Sequence, residues 1–199
     1  MSLYGAYISG FSVVDRHTET AGTAITENIQ GRNGKRLALI AYEVSTGATA
    51  HTLHLMQPGT ATGCRTTTSA AAAAAQKDIV CTDAPKDPAG NAAAANDVVA
   101  YQLPTGAWEF NTVASLSGST ITLGTNIAVA VAAGARIVIF GVTGDNVGQI
   151  FTLAVSTANA ASGKIIAVNP YKGDPWHLHI ANATNASTIY GMTFAYINK

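Results

Sequence analysis

Apolar and polar residues alternate along most of this chain with the short period of β-strands, and no stretch holds the longer period of an amphipathic helix. The densest signal runs through residues 111–142, NTVASLSGSTITLGTNIAVAVAAGARIVIFGV. There Thr120-Ile121-Thr122-Leu123 alternates as a strand with one buried face, whereas residues 137–140 are apolar at every position and predict a strand buried on both. Residues 35–44 (KRLALIAYEV) predict another buried strand, and 51–57 (HTLHLMQ) the next, ended by Pro58-Gly59. The short connection between these two predicts a hairpin. A second hairpin is predicted where 97–103 (DVVAYQL) and 107–114 (AWEFNTVA) flank Pro104-Thr105-Gly106. Further strands are expected at 78–82, 149–155, 164–169, 176–181 and 188–197. The six alanines at 70–75 leave a helical turn and a loop equally open, because alanine favours helix but so short a helix is marginal in water. Residues 84–96 (APKDPAGNAAAAN) predict a loop.

Closely spaced strands without long helices predict an all-β fold, an antiparallel β-sandwich or jelly roll carrying an inserted, small β-barrel-like module and an extended N-terminal arm. The expected division is 1–34 for the arm, 35–59 with 146–199 for the sandwich, and 60–145 for the inserted module. The arm, rich in Gly, Thr and Asn, predicts one short strand near 10–14. A short internal echo relates His51-Thr-Leu-His54-Leu to Trp176-His177-Leu-His179-Ile, and nothing recurs at a fixed period.

Composition narrows the function. Charged residues are 11% of the 199, against about 25% in ordinary domains, and eleven basic side chains balance eleven acidic ones. Such a surface suits burial against neighbouring subunits better than life as a dispersed monomer. Neutrality also argues against nucleic acid as the main partner, since phosphate binding needs clustered Lys and Arg. The tightest basic group, Arg32, Lys35 and Arg36 beside Gly31 and Gly34, is expected to be a solvated turn. The apolar window 127–142 is interrupted by Gly134 and Arg136 and is shorter than the ~20 residues of a membrane-spanning helix, so no membrane partner is expected. The first residues, MSLYGAYISGF, lack the charged start and long apolar core of a signal peptide, which predicts assembly in a cytoplasm. Cys64 and Cys81 fit that compartment as free thiols, with a disulfide between them left open.

Candidate chemistry is sparse. His177 and His179, two apart, share one face of a strand, and with His51 or His54 from a neighbouring strand they are the candidates for a three-histidine metal site, with Asp174 orienting one of them. The competing reading places these histidines on the wet face of a sheet or across a subunit contact. His51 and His54, three apart, cannot both join. No nucleophile elbow occurs, and neither cysteine has a nearby histidine in the sequence. Asp83, Asp87, Asp97, Asp145 and Asp174 read as turn-formers. Trp108, Trp176, Tyr171 and Tyr190 read as cross-strand packing or, alternatively, as platforms for a sugar. No enzyme and no cofactor are expected.

A resemblance is carried by residues 65–142. Its order is a Thr-rich strand at 66–68, an alanine run, Asp97-Val98-Val99-Ala100-Tyr101, the Thr105-Gly106 turn, Trp108-Glu109-Phe110, Val113-Ala114-Ser115, Thr120-Ile121-Thr122-Leu123, Ala132-Ala133-Gly134 and a closing apolar strand. This order resembles modules of tailed-bacteriophage virion structural proteins, of the head decoration (cement) or head-fibre type. The ending at 176–197 resembles the last strands of jelly-roll decoration proteins. The resemblance implies a virion protein on the capsid surface, partnered with the major capsid protein, often a homotrimer, and stabilising the shell. Tyr4, Tyr7 and Phe11 of the arm are the candidate interface residues, reaching an adjacent subunit by adding a strand to its sheet. The alternative is a receptor- or carbohydrate-binding tail or fibre module.

Overall fold

A computed structural model of the chain describes residues 12–16, 19–21, 25–45, 51–141, 149–155, 160–181 and 188–197. Tyr4, Tyr7, Phe11 and Asp145 lie outside them. Among the described residues every element is a strand, and every strand pairing is antiparallel. The all-β reading therefore stands.

Two of the three sheets face each other. One has the order β1 (Ser12–Arg16), β15 (Thr188–Ile197), β4 (Arg36–Ser45), β13 (Ala160–Val168), with β2 (Glu19–Ala21) also pairing β15. The other has the order β12 (Gln149–Val155), β5 (His51–Met56), β14 (Trp176–Ala181), β3 (Ile25–Ile29). Leu37, Leu39, Phe194 and Tyr196 from the first sheet pack on Leu55, Trp176, Leu178 and Ile29 from the second, forming the core of a β-sandwich. Trp176 meets Phe194 edge-on, with ring centroids 6.0 Å apart.

The apolar run in β4 is not a simple alternation. Thr193 pairs with Ala41 and Phe194 with Leu39, which leaves Ile40 as an extra residue. That bulge switches the parity, so Leu37 and Leu39 point into the core before it and Val44 after it.

The hairpin expected between residues 35–44 and 51–57 does not form. β4 is flanked by β15 and β13, while β5 is flanked by β12 and β14 in the opposite sheet. Both strands carry an apolar face, and placing them in opposed sheets lets each cover the other's layer. The short strand expected near 10–14 is β1, and the described part of the arm holds two more, β2 and β3. These strands pair within the chain's own sheets, β1 and β2 against β15 and β3 against β14.

The third sheet is formed by residues that lie between β5 and β12 in the sequence. Its order is β6 (Arg65–Thr67), β11 (Arg136–Phe140), β8 (Val98–Gln102), β9 (Trp108–Ser117), β10 (Thr120–Leu123), β7 (Asp78–Val80). The predicted hairpin of β8 and β9 is present, turning at Gly106. The sheet curls until its edge strands meet. Thr68 bridges Cys81, Ser69 N donates to Val80 O at 2.8 Å, and Thr82 N donates to Thr67 O at 2.8 Å. Inside this barrel-like sheet lie Val99 and Tyr101 of β8, Val113 of β9, Ile121 and Leu123 of β10, and Ile137 and Ile139 of β11. The alanine run takes the loop alternative, with Ala72 bridged to Val131 by reciprocal hydrogen bonds of 3.0 and 2.9 Å.

The opposite face of β8 and β11 is buried as well. Val98, Ala100, Val138 and Phe140 join Trp108 and Phe110 of β9 against Met56 of β5. Residues 137–140 are thus covered on both sides, by the barrel interior and by the sandwich, as their unbroken apolar run predicts.

Candidate functional site

The strand register brings His54, His177 and His179 together on the β5–β14 ladder and leaves His51 off it. His177 is buried, its Nδ1 is 2.9 Å from Asn28 Oδ1, and its ring lies 5.8 Å from that of Phe140 and 6.5 Å from that of Phe110. It is part of the seam between sandwich and barrel. His179 pairs directly with His54 across β14 and β5, while His51 pairs with Val155 and lies beyond the β14 ladder. The side chains of His51 and His179 lie outside the described part. Among the described residues no group of three or more His, Cys, Asp or Glu is placed to hold a metal ion.

The aromatic candidates are also distributed by the core. Trp108 is 3% exposed and Trp176 0%, so neither can offer a ring face to a sugar. Tyr171 is half-buried beneath the Arg65 guanidinium, and the side chain of Tyr190 lies outside the described part.

Cys64 and Cys81 are free thiols, both buried. Burial pushes the Cys81 thiol up to about 12, with Asp83 adding to the effect. The Cys64 thiol is also raised, chiefly by burial, and donates to Asp87 O at 2.9 Å. Neither is a nucleophile at neutral pH. Tyr101, inside the barrel, is raised by burial and by its hydrogen bond to Glu109 Oε1, at 2.7 Å.

Among the described residues, the concentration of charge and polar bonding that joins the two halves surrounds Asp174. Its side chain has no solvent exposure. Arg65 Nε of β6 donates to Oδ2 at 2.6 Å, and Arg136 Nη2 of β11 donates to Oδ1. Two barrel strands thus send guanidiniums to one carboxylate in the 169–175 connection of the sandwich. Among the aspartates read as turn-formers, Asp87 and Asp97 behave as such, accepting Asn91 N and Ala94 N at 2.8 Å each. Asp174 does not. A carboxylate with its side chain removed from water requires charged partners, and local sequence gave it the same Gly/Pro neighbours as a surface turn.

The connection is fixed by its own backbone. Asn169 Nδ2 donates to Asp174 O at 3.2 Å, and Gly173 N donates to Lys35 O at 2.7 Å. Gly173 has φ +81°, and a Cβ at Gly31 would collide with Gly173 O, so both glycines are required by the close approach of the two turns. Around this point the remaining bonds also cross between halves. Gln30 forms a reciprocal pair with the Trp108 backbone, both bonds 2.8 Å, and Trp108 Nε1 donates to Gly173 O at 2.9 Å. Gln102 Nε2 donates to Asn33 Oδ1 at 2.9 Å.

Sequence reasoning does not single out Gln30, Arg65 or Arg136. The available signal is Arg136 itself, a lone charge at the start of a strand otherwise buried on both faces, which demands a buried acid nearby. What the junction does chemically is hold: its one described carboxylate is already neutralised, and among the described residues no base or nucleophile stands beside it. The chain matches no protein-family model, no curated protein and no solved structure.

Proposed function

We propose that the chain is a decoration (cement) protein that binds the outer surface of a tailed-phage head and stabilises the shell through subunit contacts. The observation that carries the reading is the surface. Charged residues are only 11% of the chain, and the loops bridged by Ala72 and Val131 expose small uncharged side chains, among them Ala70, Ala71, Ala73, Val129, Ala130 and Ala132. Val129 is 49% exposed. Such a surface is poorly protected against association and suits packing on a neighbour, where excluded water and main-chain contacts supply the binding energy. The resemblance of residues 65–142 to phage decoration modules points the same way. Binding to the assembled shell but not to its separated subunits would stabilise the shell by mass action. A trimer seated on a local three-fold axis is the expected assembly.

The test is addition of purified protein to heads that lack it. Saturable, stoichiometric occupancy and a raised shell-disruption temperature are expected. Heads that neither bind the protein nor gain stability would contradict the reading. Glycan binding by the purified protein at the same concentrations would favour a tail or fibre role instead.

A further inference from the structure

The group Arg32, Lys35 and Arg36, read from sequence as a solvated turn, is only part of a larger basic cluster in the fold. Lys35 N donates to Arg32 O at 3.0 Å, closing a turn that packs on the 171–174 turn through the Gly173 N to Lys35 O bond. Arg136 Nη2 also donates to Lys172 O at 3.4 Å. The turns that carry Arg32, Lys35 and Lys172 therefore adjoin the Arg65 and Arg136 side chains, placing five of the chain's eleven basic residues on segments that meet at one junction. The carboxylate joined to them is Asp174, shared between Arg65 and Arg136 and without solvent exposure.

The guanidiniums are also positioned in advance. Arg32 lies over the Tyr196 ring at 4.3 Å, Arg65 over Tyr171 at 3.1 Å and Arg136 over Trp108 at 5.2 Å. Stacking on a ring fixes a guanidinium; Arg65 spends its N–H groups on Asp174 and on the carbonyls of Gly59 and Pro58, which leaves Arg32 and the outer edge of Arg136 as pre-positioned forks that lose less entropy on binding a carboxylate. Arg32 and Lys172 are exposed, and the Arg136 side chain keeps 37% of its surface in solvent.

We propose that this junction is a docking site for a carboxylate-rich segment of a partner protein. Three features select that class. The cluster is compact, built around two touching turns, which fits a few carboxylates and not a long polyanion. Elsewhere on the barrel Lys77 and Lys86 are accompanied in sequence by Asp78 and Asp83, which are not buried, so no basic track leads away from the junction for a nucleic-acid strand to follow. Planar guanidiniums beside lysines match the bidentate geometry and charge of Asp and Glu side chains. The site does not depend on the capsid reading, because it recognises the carboxylates of an acidic segment and not a feature of a shell protein.

The experiment titrates the full-length protein into a labelled short poly-glutamate peptide, with a single-stranded oligonucleotide of equal charge as the comparison. The expected result is saturable peptide binding that weakens as salt rises, tighter than the oligonucleotide. The double variant Arg32→Gln/Lys172→Gln, which leaves the Asp174 ion pairs in place, is expected to weaken it about tenfold or more, equivalent to about 1.4 kcal/mol. Arg32→Lys/Lys172→Arg should retain binding, and circular dichroism checks that each variant is folded. No peptide binding, binding unchanged in the folded double variant, or an oligonucleotide bound as tightly as the peptide would overturn the proposal.

Discussion

Asp174 has two guanidiniums where a surface carboxylate would have water, and the energetics of that exchange decide what its removal does. Replacing it by Asn keeps the shape and leaves Arg65 and Arg136 facing a neutral group. Breaking a buried pair from one side costs roughly 3–5 kcal/mol, and the partial exposure of both arginines sets the expected loss for Asp174→Asn near the lower end, about 3 kcal/mol. Urea denaturation reads this as a lower midpoint, and an unchanged midpoint would show that the ion pairs contribute nothing. A second residue-scale expectation concerns alkali. The Cys81 thiol ordinarily titrates at 9.0 and is pushed up to about 12 by burial, so between those values the unfolded chain has lost a proton that the folded chain retains. Stability from this group is fully present below pH 9 and is lost as pH rises through about 12. Tyr101 is raised by burial as well and acts in the same direction. Denaturation midpoints should fall above pH 9, less steeply in Cys81→Ala than in the parent once each is referred to its own midpoint at pH 8. Equal slopes would contradict the assignment.

At the scale of elements, β11 carries the account. Its alternate residues serve two cores, Ile137 and Ile139 the barrel, Val138 and Phe140 the seam. Phe140→Ala is expected to cost about 4 kcal/mol through the cavity it leaves beneath Phe110 and His177. Trp108→Phe, which keeps most of the packing but removes the indole bond to Gly173 O, should cost nearer 1 kcal/mol from that bond. Calorimetry on both variants checks the order, and a Phe140→Ala protein as stable as Trp108→Phe would contradict the seam's importance. These elements also show what a sequence can reveal. The unbroken apolar run at 137–140 and the Thr105-Gly106 turn between β8 and β9 were legible because each is local, one a burial pattern and the other a turn chemistry. The separation of β4 from β5 was not. Alternation indicates which side of a strand is apolar, while its partner is chosen by burial across the whole sandwich, and a short connection serves a hairpin or a corner equally well. For the same reason β3 reads as arm until Trp176, distant in sequence, pairs with Ile29. The junction around Asp174 was illegible because its two arginines approach from strands that sequence places far from it.

As a whole molecule, the protein is a sandwich and a barrel-like sheet joined by an apolar seam and a buried ionic junction. Because Met56, Phe110, Phe140 and His177 pack together across that seam, the halves are expected to unfold in one cooperative transition. Two separate calorimetric transitions would show the junction to be weak. The uncharged loops that carry Ala71 and Ala130 give the capsid reading its own handle at this scale. Introducing charge there as Ala71→Asp/Ala130→Glu should leave the fold intact and lower shell affinity about tenfold or more, because each charge would have to be desolvated in the contact. The most direct measurement is cosedimentation of purified protein with phage heads assembled without it, followed by imaging of the bound shells. Saturable occupancy at repeated positions on the outer surface and shells that withstand more heat are expected, and heads that emerge bare and no more stable would contradict the capsid role.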